Sequence, residues 1–359
     1  MESRTKKLIS YISKNQLDAM YISAYENYRY FSDFTGSNCH LIITRDKKFL
    51  ITDGRYYTQA KEQAPDWKLV EQKGASEESV GELITELGIS KIGYEGTKLT
   101  DYQVRSLKKS AAGAEWIPCD DFGQTQRMIK DDEEIKKIER AVEIADKALE
   151  RLCAVIHAGM TEKQVATELE YFMAKEGSEK PAFETISASG ERGAMPHGAP
   201  SERKISQNDM LTLDFGACYG GYMSDITRTL WFGNPCAELQ KIWHAVYDAQ
   251  QTAIKAVKPG ITAGMLDDIH RKVLEKHGYG EYIMHSLGHG VGLEIHEQPR
   301  VSPRSETVLE CGMVITIEPG IYVPGLGGVR TEDMVVVTQE GARVLTGSPH
   351  LIKIPGGKA

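Results

Sequence analysis

The chain has no run approaching the roughly 18 apolar residues of a membrane helix, no CxxC pair among its six cysteines, and no block of basic residues. The first absence excludes a helical membrane span. The second disfavours a thiolate zinc site, so Cys39, Cys119, Cys153, Cys218, Cys236 and Cys311 read as buried or half-buried free thiols in a reducing cytoplasm. The third, with 43 Lys+Arg against 51 Asp+Glu and a formal charge of −8, argues against nucleic acid or an anionic membrane surface as partner. Residues 1–20 carry Leu8, Ile9, Ile12 and Leu17 in an amphipathic pattern without a signal-peptide core, so a cytoplasmic location is expected. What is present is globular: 359 residues, 41% hydrophobic and 26% charged. At about 150 residues per domain this makes roughly two domains.

The first part alternates short apolar runs (residues 19–23, 40–44, 49–52, 69–70, 92–94 and 116–118) with helical patterns at residues 76–87 and 101–111. Such alternation predicts a small α/β domain. A boundary near residue 125 gives domains of 1–125 and 126–359. The second opens on the strongest helical pattern in the chain: Asp131 and Glu134 form a capping box, and Ile135, Ile138, Val142, Ala145, Leu149, Leu152 and Ile156 recur at spacings of three and four. An internal repeat follows. Gly159-Met160-Thr161 opens a helical segment closed by Gly177, and Gly260-Ile261-Thr262 opens another closed by Gly278. Each is followed by a histidine-bearing loop and then by two strands carrying two acids, which predicts two αβ halves related by a pseudo-two-fold, with the acids converging.

The acids sit in apolar surroundings. Asp214 and Asp225 flank Tyr219-Gly220-Gly221, and a turn centred between Tyr219 and Gly220 would make them a directly opposed cross-strand pair. Two facing carboxylates in a half-buried sheet destabilise it unless a cation lies between them or one is protonated; the bland alternative is two solvated acids on an edge hairpin. Glu318 ends the apolar strand from Met313, and Glu332 opens the next. A buried carboxylate needs a partner. A metal is one candidate and Arg330, on the same strand face as Glu332, is another. Between the hairpins, His285, His289 and His296 lie in glycine-rich chain that lets imidazoles approach a shared centre. This is no HExxH motif, and Gly288-His289-Gly290-Val291-Gly292 lacks the strand–turn–helix setting of a dinucleotide loop. Four carboxylates and one imidazole suit two adjacent divalent cations better than one closed tetrahedral zinc, and the chemistry implied is hydrolysis.

Asp214, the run Asp225-Ile226-Thr227-Arg228-Thr229, His289 with its Gly-His-Gly context, Glu318-Pro319-Gly320, and Val329-Arg330-Thr331-Glu332-Asp333 together resemble the signature of the pita-bread metallopeptidases, in particular the Xaa-Pro peptidases: prolidase and aminopeptidase P. Thr52-Asp53-Gly54-Arg55-Tyr56 resembles the creatinase-type N-terminal domain, so the likeness spans the chain. It implies an α/β N-terminal domain followed by a pita-bread domain, and two divalent metal ions, Mn²⁺ with Co²⁺ or Zn²⁺ as alternatives. By resemblance the ligands are Asp214, Asp225, His289, Glu318 and Glu332, with Asp225 and Glu332 bridging. His197 and His296 match the histidines at the scissile bond, Glu318 or His296 would move the proton, Arg330 would help fix a substrate carboxylate, His285 would line the substrate site, and Thr227 would stand behind the ligands. Thr331 replaces a residue that is commonly aliphatic in the family.

The substrate implied is a proline-containing di- or oligopeptide, and the assembly a homodimer. Strict dipeptidase is favoured over aminopeptidase P by the stretch from Gly288 to Pro299. Methionine aminopeptidases usually lack the leading domain. A non-catalytic peptide-binding module or a metal-free creatinase would be expected to lose ligands, and all five are here.

Overall fold

The protein is described by a computed structural model covering residues 2–355. It divides into two compact units, Met1–Arg127 and Met128–Ala359. Among the described residues no helix is long and apolar enough to cross a membrane.

The first unit runs α1 (Glu2–Lys14), β1 (Ala19–Ile22), α2 (Tyr25–Ser32), β2 (His40–Thr44), β3 (Lys48–Thr52), α3 (Tyr57–Gln63), β4 (Lys68–Glu71), α4 (Ser76–Glu86), β5 (Lys91–Tyr94), α5 (Asp101–Ser110), β6 (Glu115–Pro118) and α6 (Phe122–Arg127). The strands form one mixed sheet ordered β4-β3-β2-β1-β5-β6. Every apolar run read as a strand lies in it. The β1–β2 and β2–β3 pairs are antiparallel and the rest parallel, so Ala19, Ile42, Ile51 and Ile92 are buried under α4 and α5. Helices α2 and α3 were not separable in the sequence: they are 8 and 7 residues long, too short to show a period.

The second unit contains α7 (Asp132–Cys153), α8 (Glu162–Glu176), β7 (Ile186–Ser189), β8 (Met210–Phe215), β9 (Cys218–Tyr219), β10 (Tyr222–Met223) and β11 (Ile226–Phe232), then α9 (Ala237–Ala256), α10 (Ala263–Lys276), β12 (Gly288–Gly290), β13 (Glu297–Val301), β14 (Val314–Ile317), β15 (Gly320–Val323), β16 (Gly327–Arg330), β17 (Asp333–Thr338), β18 (Gly341–Val344) and β19 (Ile352–Ile354). The Asp131–Glu134 capping box is formed. Helix α7 ends at Cys153, three residues short of the apolar pattern, because Ile156 reaches the core from the turn that leads to the next cap. That cap is Thr161, whose hydroxyl accepts from the Gln164 amide; in the second half Thr262 caps α10 through the Met265 amide. Each half therefore has a helix pair over a sheet. The first sheet is β19-β11-β8-β7 and the second β13-β12-β14-β17-β18. Their apolar faces form separate cores, one beneath α7 and α8 and the other beneath α9 and α10.

Two expectations need correction. Asp214 does not face Asp225: its cross-strand partner is Thr227. The turn is centred between Gly220 and Gly221, because only these two consecutive glycines tolerate the positive φ values of 58° and 80° that a two-residue turn requires. Asp225 is thus the diagonal neighbour of Asp214, just before β11. Of the six free thiols, Cys236 is exposed rather than buried, since it stands at the outer end of α9.

Candidate active site

The carboxylates are gathered by two hairpins. Asp214 lies near the end of β8, Asp225 immediately precedes β11, and Thr227 is the second residue of that strand. In the second hairpin β14 pairs with β17 and, in the same register, β15 with β16; Ile317 faces Asp333 and Gly320 faces Arg330, so Glu318 and Glu332 fall opposite each other where the two ladders meet. The imidazole arrives on β12, an inner strand of the second sheet. Gly288 permits this: a Cβ there would lie 2.1 Å from the carbonyl oxygen of Thr316.

One ligand atom from each of Asp225, His289 and Glu332 lies within 4.8 Å of the others. His289 Nε2 is 3.5 Å from Asp225 Oδ2 and 3.4 Å from Glu318 Oε1. Its Nδ1 donates to the Gly290 carbonyl at 3.1 Å, which leaves Nε2 as a lone pair aimed at the carboxylates. Asp214 completes the group from the first hairpin. Its Oδ2 accepts from Arg330 Nη2 at 2.6 Å, while its Oδ1 is buried with no hydrogen-bond partner.

The electrostatics follow from this crowding. Burial, then the neighbouring Glu332 and Asp214, hold the Asp225 carboxyl well above the usual carboxylate range. Glu332 is raised likewise, by burial and then by Glu318 and Asp214. Glu318 is pushed up to about 8, chiefly by burial. Burial lowers His289 to about 4, which keeps its ring neutral. Three carboxyls that resist ionisation, an unprotonated imidazole nitrogen and an orphaned buried carboxylate oxygen form a donor set of hard oxygens plus one nitrogen that lacks only positive charge. That is the environment of a divalent cation.

The other expected residues surround this group. Thr227 donates to Glu332 Oε2 at 2.8 Å and accepts from Arg330 Nε at 3.0 Å. Arg330 is 3% exposed, and its remaining nitrogens donate to the Pro196 carbonyl (3.1 Å), the Tyr322 hydroxyl (2.7 Å) and Asp214. It therefore takes the other role open to it in the sequence, a carboxylate ion pair, with four of its five N–H groups already bonded. The His296 ring sits 4.4 Å from that of His289, edge to face. His285 Nδ1 donates to the Ser286 carbonyl and Nε2 accepts from Tyr322. His197 is exposed, on the loop whose Pro196 carbonyl Arg330 holds.

Three residues of this environment escaped the sequence reading. Tyr322 was visible only as the aromatic four residues after Glu318. Arg228, wholly buried, donates to the backbone carbonyl of Glu332 and, at 2.8 Å, to Asp333 Oδ1; Asp333 Oδ2 accepts from His350 Nε2 at 2.8 Å. Nothing in the sequence connects His350 to Asp333. A cavity of about 600 Å³ between α7 and residues 345–352 is lined by none of these groups.

Comparison with known proteins agrees with the geometry. The model of metallopeptidase family M24 matches residues 136–339, and that of the creatinase/prolidase N-terminal domain matches residues 4–129. The chain is 44% identical over 347 residues to an Xaa-Pro dipeptidase of Pyrococcus furiosus, covering 96% of this chain and 98% of that one. Among solved structures it resembles an Xaa-Pro dipeptidase from Bacillus anthracis (TM-score 0.96, 42% identity, 98% and 99% of the two chains). It also resembles an X-Pro aminopeptidase from Thermotoga maritima (TM-score 0.91, 38% identity, 98% and 100%).

Proposed function

The chain belongs to metallopeptidase family M24, and on that premise we propose that it is an Xaa-Pro dipeptidase that hydrolyses the bond before proline in dipeptides. The observation that carries this reading is the convergence of Asp225, His289 and Glu332, with Glu318 and Asp214 beside them, in a chain whose full-length relatives include Xaa-Pro dipeptidases. Asp214, Asp225, His289, Glu318 and Glu332 would hold two divalent cations, Mn²⁺ first, with Co²⁺ or Zn²⁺ as alternatives. Bound there, divalent cations supply Lewis acidity to a carbonyl and a nucleophile at neutral pH.

The chain's own groups do the rest. Hydrolysis adds hydroxyl to the carbonyl carbon and must deliver a proton to the proline nitrogen, which carries no hydrogen as a tertiary amide. Glu318 would take a proton from the attacking water, and either it or His296, whose ring lies against that of His289, would deliver a proton to the proline nitrogen. His197 steadies the carbonyl oxygen from the exposed loop. Arg330 fixes Asp214 and the Pro196 carbonyl, and Thr227 fixes Glu332. The active form is a homodimer in the cytoplasm.

Cleavage of an Xaa-Pro dipeptide and an Xaa-Pro-Yaa tripeptide by the purified protein with Mn²⁺ tests the reading. Turnover of the dipeptide alone is expected. Cleavage of the tripeptide would favour an Xaa-Pro aminopeptidase, the activity named for the similar Thermotoga maritima structure, and cleavage of neither would sink both.

A further inference from the structure

Resting on that reading of the site, we propose that Glu162 and Asp267 are positioning residues: each is a buried carboxylate on the second helix of its half that, with an arginine, clamps the loop carrying a histidine of the substrate face. Neither acid belongs to the cluster of candidate ligands, and their side chains are fully buried.

In the first half, Glu162 opens α8 and receives both ends of the segment from Ser189 to Ser201. Its Oε1 accepts from the Ser189 amide at 2.7 Å and hydroxyl at 2.8 Å. Its Oε2 accepts from Arg192 Nε at 3.0 Å and from the Ser201 amide and hydroxyl at 3.1 and 2.6 Å. Arg192 closes the loop on itself by donating to the Ala199 carbonyl at 2.7 Å. The tip is held separately, where Arg330 donates to the Pro196 carbonyl, and His197 is the next residue. A buried carboxylate with five donors is fully satisfied. Replacing one of its oxygens by an amide NH2 would leave the donors at one end of the loop facing another donor instead of an acceptor.

In the second half, Asp267 of α10 accepts from the Leu287 amide at 2.8 Å and from Arg271 Nε at 2.6 Å, and Arg271 Nη2 donates to the His285 carbonyl at 3.0 Å. The Leu287 carbonyl in turn accepts from the Glu318 amide at 2.8 Å. This clamp thus sets both His285, against Tyr322, and the backbone of Glu318. The two acids stand on different turns of their helices, so the resemblance lies in the device: helix carboxylate, arginine fork, histidine loop.

The test compares Glu162→Gln and Asp267→Asn with wild type by backbone hydrogen exchange, bound Mn²⁺ and steady-state kinetics on an Xaa-Pro dipeptide. Glu162→Gln should speed exchange in residues 190–200 and leave residues 283–288 protected; Asp267→Asn should do the reverse. Mn²⁺ content should stay at the wild-type level in Glu162→Gln, while kcat/KM falls on the order of 100-fold, the loss expected when a reacting group is displaced by about 1 Å. Because Glu162 acts through His197, Glu162→Gln combined with His197→Ala should be no slower than His197→Ala alone. Multiplying losses in the double variant, or unchanged exchange in residues 190–200, would overturn the clamp. If Glu162→Gln does not fold, Ser201→Ala and Ser189→Ala, which each remove one hydroxyl donor, decide by the same exchange readout. Full activity in His197→Ala would count against the role given to that histidine, and the exchange data would still judge the clamp.

Discussion

In the first acid-bearing hairpin Asp214 faces Thr227 across the strands, whereas in the second Glu318 and Glu332 occupy positions that face one another. Both hairpins carry two carboxylates on otherwise apolar strands, so sequence pattern alone gives them the same design. Turn and neighbour make the difference. Gly220 and Gly221 close the first hairpin tightly and move Asp225 off the direct pairing; the vacated position holds Thr227, whose hydroxyl bonds to Glu332 of the other hairpin. The offset therefore lets one half hold the other's carboxylate. The second hairpin instead buries its opposed pair: burial is the main force pushing both Glu318 and Glu332 toward the protonated form, and the charge of Glu318 adds to the rise at Glu332.

The sharpest way to break the comparison is to remove one charge from each hairpin. Asp225→Asn and Glu332→Gln should each lose dipeptide cleavage by more than the roughly 10–100-fold typical of residues behind a metal ligand, and each should lose bound metal. Wild-type protein should melt at higher temperature as Mn²⁺ is added, by about 2.7 kcal/mol of stabilisation at a hundredfold excess over Kd. Either variant should show little such rise. Full Mn²⁺-dependent stabilisation in Asp225→Asn would place the cation elsewhere. Next in size, Arg330→Lys tests the link between the hairpins. A lysine cannot serve Thr227, Tyr322, Pro196 and Asp214 together, so kcat/KM should fall about 10–100-fold with metal retained; a near-normal value would mean that the fork is dispensable.

How much of this was legible in the sequence depends on the range of the interaction. Thr161 and Thr262 marked their helices because a cap is written within four residues, and the six strands of the first unit showed as apolar runs. Asp214, Asp225, His289, Glu318 and Glu332 stood out because acids in apolar strands are conspicuous. The register was not legible: Tyr219-Gly220-Gly221-Tyr222 offers two turn centres one residue apart, and choosing wrongly shifts every cross-strand partner by two. Nor could spacing reveal Arg330 on Asp214, His350 on Asp333 or Ser201 on Glu162, since each pair is joined by packing between elements distant in the chain.

The turn itself supplies a smaller test. Replacing both Gly220 and Gly221 with Ala should cost about 2–4 kcal/mol at roughly 1–2 kcal/mol per left-handed residue. Gly325→Ala, at the single position of φ 76° within the turn of the other hairpin, should cost about half that. Asn at position 220 should recover most of the loss, because Asn-Gly suits the same turn. Equal costs in chemical denaturation for the two hairpins would contradict a turn-determined offset.

The last effect expected is the pH dependence of stability that Glu162 contributes in the first half. Burial, the largest single influence, pushes the Glu162 carboxyl up, but hydrogen bonds from Ser201 and Ser189 and the charge of Arg192 outweigh it and leave the group below its ordinary value. A carboxyl depressed by folding stabilises the folded state fully above its unfolded pKa of about 4.3, and that stability is lost as pH falls through the lower folded value. Glu162→Gln should therefore be less stable than wild type by a constant amount between pH 6 and 8, about 1–3 kcal/mol if the charged hydrogen bonds behave as such bonds usually do. The two unfolding midpoints should converge only below about pH 4, where protonated Glu162 resembles glutamine. Convergence near neutral pH would mean that the carboxylate is not held ionised by the loop, and the first half would then lack the charged anchor on which Ser189, Arg192 and Ser201 converge.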